Sequence, residues 1–164
     1  NPFAASEMLF WLMGSLTDRS LVHVWLAAPL MIVGALVLLS TRTSLDALTL
    51  GDEAAQNLGV DLKSLRNWVV SGTALAVGAA TSVAGAIGFV GLVVPHLLRP
   101  FFGQQPGRLL LPSFLAGAAL VLAADVALRL LSPAGDLRLG VVTALLGAPF
   151  FLWLVLRTRS ELGP

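Results

Sequence analysis

The sequence predicts an all-α integral membrane protein with five transmembrane helices, and three observations carry that reading. Of 164 residues, 57% are hydrophobic and only 12% are charged, with a mean hydropathy of +0.88. A soluble domain is about 45–50% apolar and about 25% charged, so this chain lacks the polar surface to cover a globule of its size. The apolar residues also run on without alternating, which fits spanning helices and not the strands of a barrel. Finally, charge-free stretches recur at lengths near the roughly 17–25 residues that cross a bilayer. Together these exclude an ordinary soluble enzyme, a disordered chain and a nucleic-acid binder. The net charge of +1 names no partner, and the absence of cysteine excludes disulfides and thiolate chemistry.

Four stretches carry no Lys, Arg, Asp or Glu: Leu21–Thr41, Asn67–Leu98, Leu109–Ala124 and Leu139–Leu156. The second is 32 residues long. As one helix it would measure roughly 48 Å, against a hydrocarbon core of about 30 Å. It contains Gly85, Gly88 and Gly91, and glycine is a frequent helix break. The expectation is therefore a full span over 65–84 and a short span over 88–102. The positive-inside rule tests this division. With five spans, Arg42, Lys63, Arg66, Arg99, Arg108, Arg157 and Arg159 face the cytoplasm and Arg19, Arg129 and Arg138 face outward, seven against three. With four spans the division is five against five. Five spans, with a cytoplasmic C-terminus, are favoured.

In order along the chain, residues 1–20 lie outside, with a short amphipathic helix over Ala4–Gly14 at the interface. Phe3, Phe10 and Trp11 would anchor it. The opening Asn1-Pro2 resembles no signal peptide, so the chain reads as a piece of something longer. The first span covers 21–41, with a kink expected at Pro29. A cytoplasmic loop follows over 42–66. After the two spans over 65–84 and 88–102, a fourth covers 109–131, entered through Pro112. A fifth covers 139–159 and is broken at Gly147-Ala148-Pro149. A single membrane domain over 1–164 is the economical reading.

The loop has structure of its own. Two short helices are expected, over 44–50 and 52–58, with Ser44 as N-cap of the first and Gly59 as the C′ stop of the second. Asp52 and Glu53 suit an N-terminal dipole. Leu50, Ala54 and Leu58 recur at i, i+4 and i+8 and form one apolar stripe. Such a stripe either docks a partner or packs against its own membrane helices.

Chemistry-bearing residues are sparse. There is no phosphate-cradling G-x-x-x-x-G-K-[ST] loop and no placed carboxylate pair, and His23 and His96 sit in different spans. No metal site, cofactor or catalytic residue is expected, and an intramembrane enzyme is disfavoured. Asp125 and Arg129, four apart, share a helix face. They read as an ion pair at a helix end with Arg129 reaching the outer interface, or as groups on a transport path. His96 and Arg99 follow Pro95. His96 reads as a structural hydrogen-bonding group or a cavity residue, and Arg99 as a topology anchor.

Gly88-Phe89-Val90-Gly91-Leu92-Val93-Val94-Pro95-His96-Leu97-Leu98-Arg99 resembles the "GFVGLxxPHxxR" signature of FecCD-type permeases. These are membrane subunits of bacterial ABC importers for iron–siderophore complexes, haem and vitamin B12. Leu48 to Ala55 (including Gly51, Asp52 and Glu53) with Leu58-Gly59-Val60 resembles their "LxLGxxxAxxLGV" cytoplasmic segment. Leu110-Leu111-Pro112, Ala124-Asp125 with Arg129, and Gly140 to Phe151 (including Gly147 and Pro149) resemble their "LLP", "ADxxAR" and "GVVTAxxGAPFF" elements. The resemblance covers nearly the whole chain from about Phe10 onward. Leu137-Arg138-Leu139 departs from the family's "ELP".

The resemblance implies the second half of a ten-helix importer permease in the bacterial inner membrane. It implies a separate ABC ATPase subunit, a periplasmic substrate-binding protein, and a second permease copy as homodimer or heterodimer, besides membrane lipid. It places ATPase coupling on Leu50, Gly51, Asp52, Glu53, Ala54, Ala55, Leu58, Gly59 and Val60. It marks Gly88, Gly91, Pro95, His96, Arg99, Asp125, Arg129, Gly147 and Pro149 as motif residues without a specified direct role. The competing reading is a half-permease that acts only as a structural membrane module and transports nothing. The five-span topology predicts that cysteines placed at Ala86 and Gly103 label from opposite sides of the membrane in an impermeant-reagent assay. Labelling of both from one side overturns it.

Overall fold

The computed structural model describes residues 14–16, 19–103, 105–131 and 139–161, and every regular element in them is helical. Seven α-helices occur there: α1 Leu21–Ser40, α2 Arg42–Ala47, α3 Asp52–Asn57, α4 Leu62–Ala84, α5 Val90–Phe102, α6 Pro106–Leu131 and α7 Leu139–Glu161. A 3₁₀ turn, Leu48–Leu50, joins α2 to α3. The interfacial helix expected over 4–14 falls, but for Gly14, outside the described residues, as does the Leu137-Arg138 departure.

Two helices, α1 and α6, are long and apolar enough to cross a membrane. Within the apolar window of each, only 11% and 6% of the residues are buried inside the chain. A core helix of a soluble protein would be mostly covered. Here the outward side chains are the large apolar ones: Leu21 is 76% exposed and Trp25 78%. Burying a side chain of that size is worth about 1.5–3 kcal/mol. Surfaces of this kind belong against lipid or other apolar helices.

The long uncharged run is divided between α4, which ends at Ala84, and α5, which begins at Val90. α5 has only 13 residues. α4 starts at Leu62, three residues before the expected 65, because Asp61 caps it: the Lys63 N–H donates to Asp61 Oδ1 at 3.0 Å. α6 likewise starts at Pro106 and not at 109. Pro106 takes the first helical position, where proline costs no hydrogen bond. Pro112 therefore lies inside the helix and is not its entry.

The described residues fall into two compact units. One gathers residues 19–83, 98–103 and 105–115. In it α1 and α4 approach closely at Gly34 and Gly72. A Cβ on Gly34 would lie 2.6 Å from the Gly72 carbonyl oxygen and 2.7 Å from the Ala76 nitrogen. A Cβ on Gly72 would lie 3.0 Å from Leu38 Cγ and Val37 Cγ1. Small residues let membrane helices approach this closely where no hydrophobic force drives them together.

The other unit gathers 14–16, 84–97, 116–131 and 139–161. Here the segment 14–16 serves two helix ends. The Ser15 N–H donates to the Ala84 carbonyl at 2.7 Å, and the Gly140 N–H donates to the Gly14 carbonyl at 3.1 Å. These occupy groups that the end of α4 and the start of α7 would otherwise leave unpaired.

Gly34→Leu should lower stability by roughly 1–3 kcal/mol through overpacking against backbone. Gly78→Leu should not, because nothing lies within 4 Å of a Cβ there. Thermal unfolding midpoints of the two variants in detergent compare them directly.

Candidate functional site

The segment between α1 and α4 is built by local hydrogen bonds. At the end of α1, Ser40 Oγ donates to the Val37 carbonyl and Thr41 Oγ1 to the Leu38 carbonyl, each at 2.7 Å. Thr41 keeps a right-handed conformation (φ −85°, ψ −1°), so α2 follows at once from Arg42. Ser44 consequently lies within α2 and is not its N-cap. Gly51, at φ +97°, makes the turn into α3, and Asp52 and Glu53 occupy the first turn of that helix, where their charge favours the dipole.

α3 closes on a Schellman arrangement. The Gly59 N–H donates to the Gln56 carbonyl at 2.9 Å, and the Val60 N–H donates to the Ala55 carbonyl at 3.0 Å. Gly59 sits at φ +86°, which a side chain would strain. The turn reverses the chain into Asp61, the cap of α4.

This architecture divides the expected stripe. Leu50 and Leu58 are each 66% exposed, whereas Ala55 is wholly buried and Ala54 is half-buried. The segment is thus held inward by Ala55 and presents two leucines outward. Beside Leu58 a cleft of about 570 Å³ opens, walled by Thr43, Ser44, Asp61, Ser64 and Trp68 among others.

Asp46 joins this segment to α6. The Gly107 N–H donates to Asp46 Oδ1 at 2.7 Å across 61 residues of sequence. Gly107 is buried, and a Cβ on it would collide with the Arg42 carbonyl oxygen and lie 2.6 Å from Asp46 Oδ2. The sequence reading did not single out Asp46. Its one signal is the Pro106-Gly107 pair: a helix that opens on proline followed by glycine has a bare N-terminus that another group can approach.

In the second unit the glycine-rich and closing motifs meet. Phe89 has φ +65°, a left-handed conformation rare for a bulky residue. Its carbonyl accepts the N–H groups of Leu92 at 3.0 Å and Val93 at 2.9 Å and so starts α5. Its side chain packs on Gly147, where a Cβ would collide with the Phe89 Cβ and ring. Seven residues after Phe89 and three after Gly147, His96 meets Phe150 edge to face, with ring centroids 5.9 Å apart and planes at 71°. Pro149 lies between those two contacts, inside α7, which runs unbroken through 147–149 where a break was expected.

The remaining motif residues are placed apart from that contact. A Cβ at Gly88 or Gly91 would meet nothing within 4 Å. Arg99 is exposed in the last turn of α5, where a cation favours the helix dipole. Arg129 Nε donates to Asp125 Oδ2 at 2.8 Å on α6, with the arginine side chain 64% exposed and the carboxylate 15%. His23 accepts the Ser20 N–H on Nδ1 at 3.3 Å at the start of α1.

With this geometry in view, the chain can be set beside known proteins. The profile of the FecCD transport family matches residues 1–157. The chain belongs to the FecCD transport family. Among relatives, it is 42% identical to the vitamin B12 import system permease protein BtuC of Klebsiella pneumoniae, over 97% of this chain and 48% of that protein. It is 40% identical to the Fe(3+) dicitrate transport system permease protein FecD of Escherichia coli K12, over 96% of this chain and 50% of that protein. Among solved structures, it superposes with a TM-score of 0.84 and 33% identity on an inward-facing conformation of a metal-chelate type ABC transporter, covering 93% of this chain and 49% of the other. The chain thus spans about half the length of the curated relatives it matches. The FecCD motifs that sequence reading found far apart, 88–99 and 140–151, pack on one another through Phe89–Gly147 and His96–Phe150.

Gly147→Ala should destabilise by about 1–3 kcal/mol, because Phe89 must leave its place. Gly91→Ala, in open space, should be neutral or slightly stabilising through helix propensity. Unfolding midpoints of the purified variants check both.

Proposed function

We propose that this chain forms the second half of a ten-helix permease subunit of a bacterial inner-membrane ABC importer, with its C-terminus in the cytoplasm. Its cargo is an iron–siderophore complex or a related metal chelate, haem or cobalamin. It is a transporter subunit without catalytic residues. A separate ATPase subunit supplies the hydrolysis, a periplasmic binding protein delivers the cargo, and a second permease copy, identical or related, completes the channel.

The observation that carries the reading is the ordered segment 42–60 in a chain of this family. Its two short helices are fastened from within by Ala55 and the turn at Gly59, and they leave Leu50 and Leu58 exposed. Two apolar knobs on a rigid base suit a hydrophobic groove on a partner. Leu50, Gly51, Asp52, Glu53, Leu58 and Gly59, with the half-buried Ala54 and Val60 at their edge, are the docking surface for the ATPase, and the buried Ala55 lies beneath it. Nucleotide-driven closure of the ATPase would bias the permease through contacts that differ between its outward-open and inward-open states, as any such bias requires.

The test separates the outward residues from the inward one. In the full-length permease, Leu50→Arg and Leu58→Arg should reduce co-purification of the ATPase at least tenfold while membrane insertion stays normal. Ala55→Arg buries a charge under the segment and should instead impair folding. Chelate uptake by cells carrying the wild-type transporter is the companion measurement. If both leucine variants insert, assemble fully and keep chelate-stimulated ATP hydrolysis, the segment is not the docking surface.

A further inference from the structure

We propose that Asp46 and Gly107 form a clamp that transmits movement of segment 42–60 to α6, making Asp46 a positioning residue for ATP-coupled transport. The proposal rests on the reading of that segment as the ATPase docking surface.

The clamp has two points of contact on one glycine. The carboxylate of Asp46, in the last turn of α2, takes the Gly107 N–H at 2.7 Å. The Arg42 carbonyl, in the first turn of α2, lies so close to Gly107 that a Cβ would collide with it. Pro106 has no N–H, so Gly107 presents the first backbone donor on the axis of α6. A carboxylate at that place caps the helix and meets the positive end of its dipole. It is a charge-assisted bond, the stronger class of hydrogen bond. Asp46 Oδ1 thus caps the start of α6, and it does so from α2, within the segment 42–60.

The mechanical consequence follows from the lengths involved. α2 and α3 are six residues each and lie between α1 and α4. α6 is continuous over 26 residues, or about 39 Å. A push on Leu50 or Leu58 displaces α2, and α2 grips the first turn of α6 at Gly107. Rigid elements that shift as bodies are the usual carriers of such transitions. Besides its grip on Gly107, α2 is tied locally: the Asp46 carbonyl accepts Thr49 Oγ1 at 2.7 Å, which orders the turn leading to Leu50.

The experiment uses the full-length permease assembled with its ATPase in liposomes, with Asp46→Ala, Asp46→Asn and Gly107→Ala. Two quantities are read: chelate transported per ATP hydrolysed, and hydrogen exchange of the peptide containing Gly107. Asp46→Ala and Gly107→Ala should insert, bind the ATPase and hydrolyse ATP at the basal rate, yet transport at least tenfold less per ATP. Asp46→Asn keeps an acceptor oxygen and should stay within threefold of wild type. Exchange at Gly107 should rise in Asp46→Ala and not in Asp46→Asn. If exchange rises in Asp46→Ala while transport per ATP stays within twofold, the clamp does not transmit, and the proposal is overturned. Loss of ATPase binding in step with transport would make Asp46 merely structural and overturn it equally. A wild-type protein that neither binds the ATPase nor imports chelate overturns the docking reading, and the clamp with it. A wild type that does both, beside an Asp46→Ala variant that does the same, overturns the clamp alone.

Discussion

A helix in apolar surroundings bonds its own backbone along its length but leaves four N–H groups at one end and four C=O groups at the other. Away from water, each one left bare costs about 1–3 kcal/mol. The described contacts outside the helices gather at those ends. Ser15 meets the last carbonyl of α4, Gly14 the first turn of α7, Asp61 the start of α4, and Asp46 the start of α6. Thr41 and Ser40 turn back onto carbonyls of α1. The need to satisfy helix ends decides where the connecting segments lie, and so which side chains they can present.

Glycine works with that constraint. Where two backbones must come together, a Cβ is in the way. At Gly14 it would strike the Ala86 carbonyl, at Gly34 the Gly72 carbonyl, at Gly107 the Arg42 carbonyl and at Gly147 the Phe89 side chain. The four places differ in what they hold: a connecting segment, a helix pair, a helix cap and an aromatic ring. They share one physical reason. Apolar helices gain little from contact with each other that they would not gain from lipid, so close packing supplies the specificity.

The same two constraints shape the proposed coupling segment. Its firmness comes from Ala55 below and the Gly59 turn behind, and its exposed leucines stand on that base. Exposure of large apolar residues on a short polar-flanked segment has a different meaning from exposure along α1 or α6. On the long helices it matches lipid; on the segment the proposed docking gives it a protein groove instead. Composition cannot distinguish the two settings, and their place in the chain can.

How much was legible in the sequence varies with the kind of interaction. The all-helical class, the division of the long uncharged run near Gly85–Gly88, the two short helices after α1 and the stop at Gly59 follow from composition, periodicity and glycine, which act over a few residues. Family membership followed from motifs that survive as strings. Helix starts were less legible. Asp61 and Pro106 moved two of them upstream, because a cap is one residue's choice of hydrogen bond and outweighs a gradient of hydropathy. The sequence by itself therefore determined the helical class, the division of the long uncharged run and the turns around the segment 42–60, all of which rest on local backbone preference and solvent. Only the tertiary structure decided that Asp46 caps a helix 61 residues away, that Phe89 turns left-handed to sit on Gly147, and that Ala55 faces in while Leu50 and Leu58 face out. Those depend on which backbones approach which, and close approach between distant segments leaves no periodic mark along the chain.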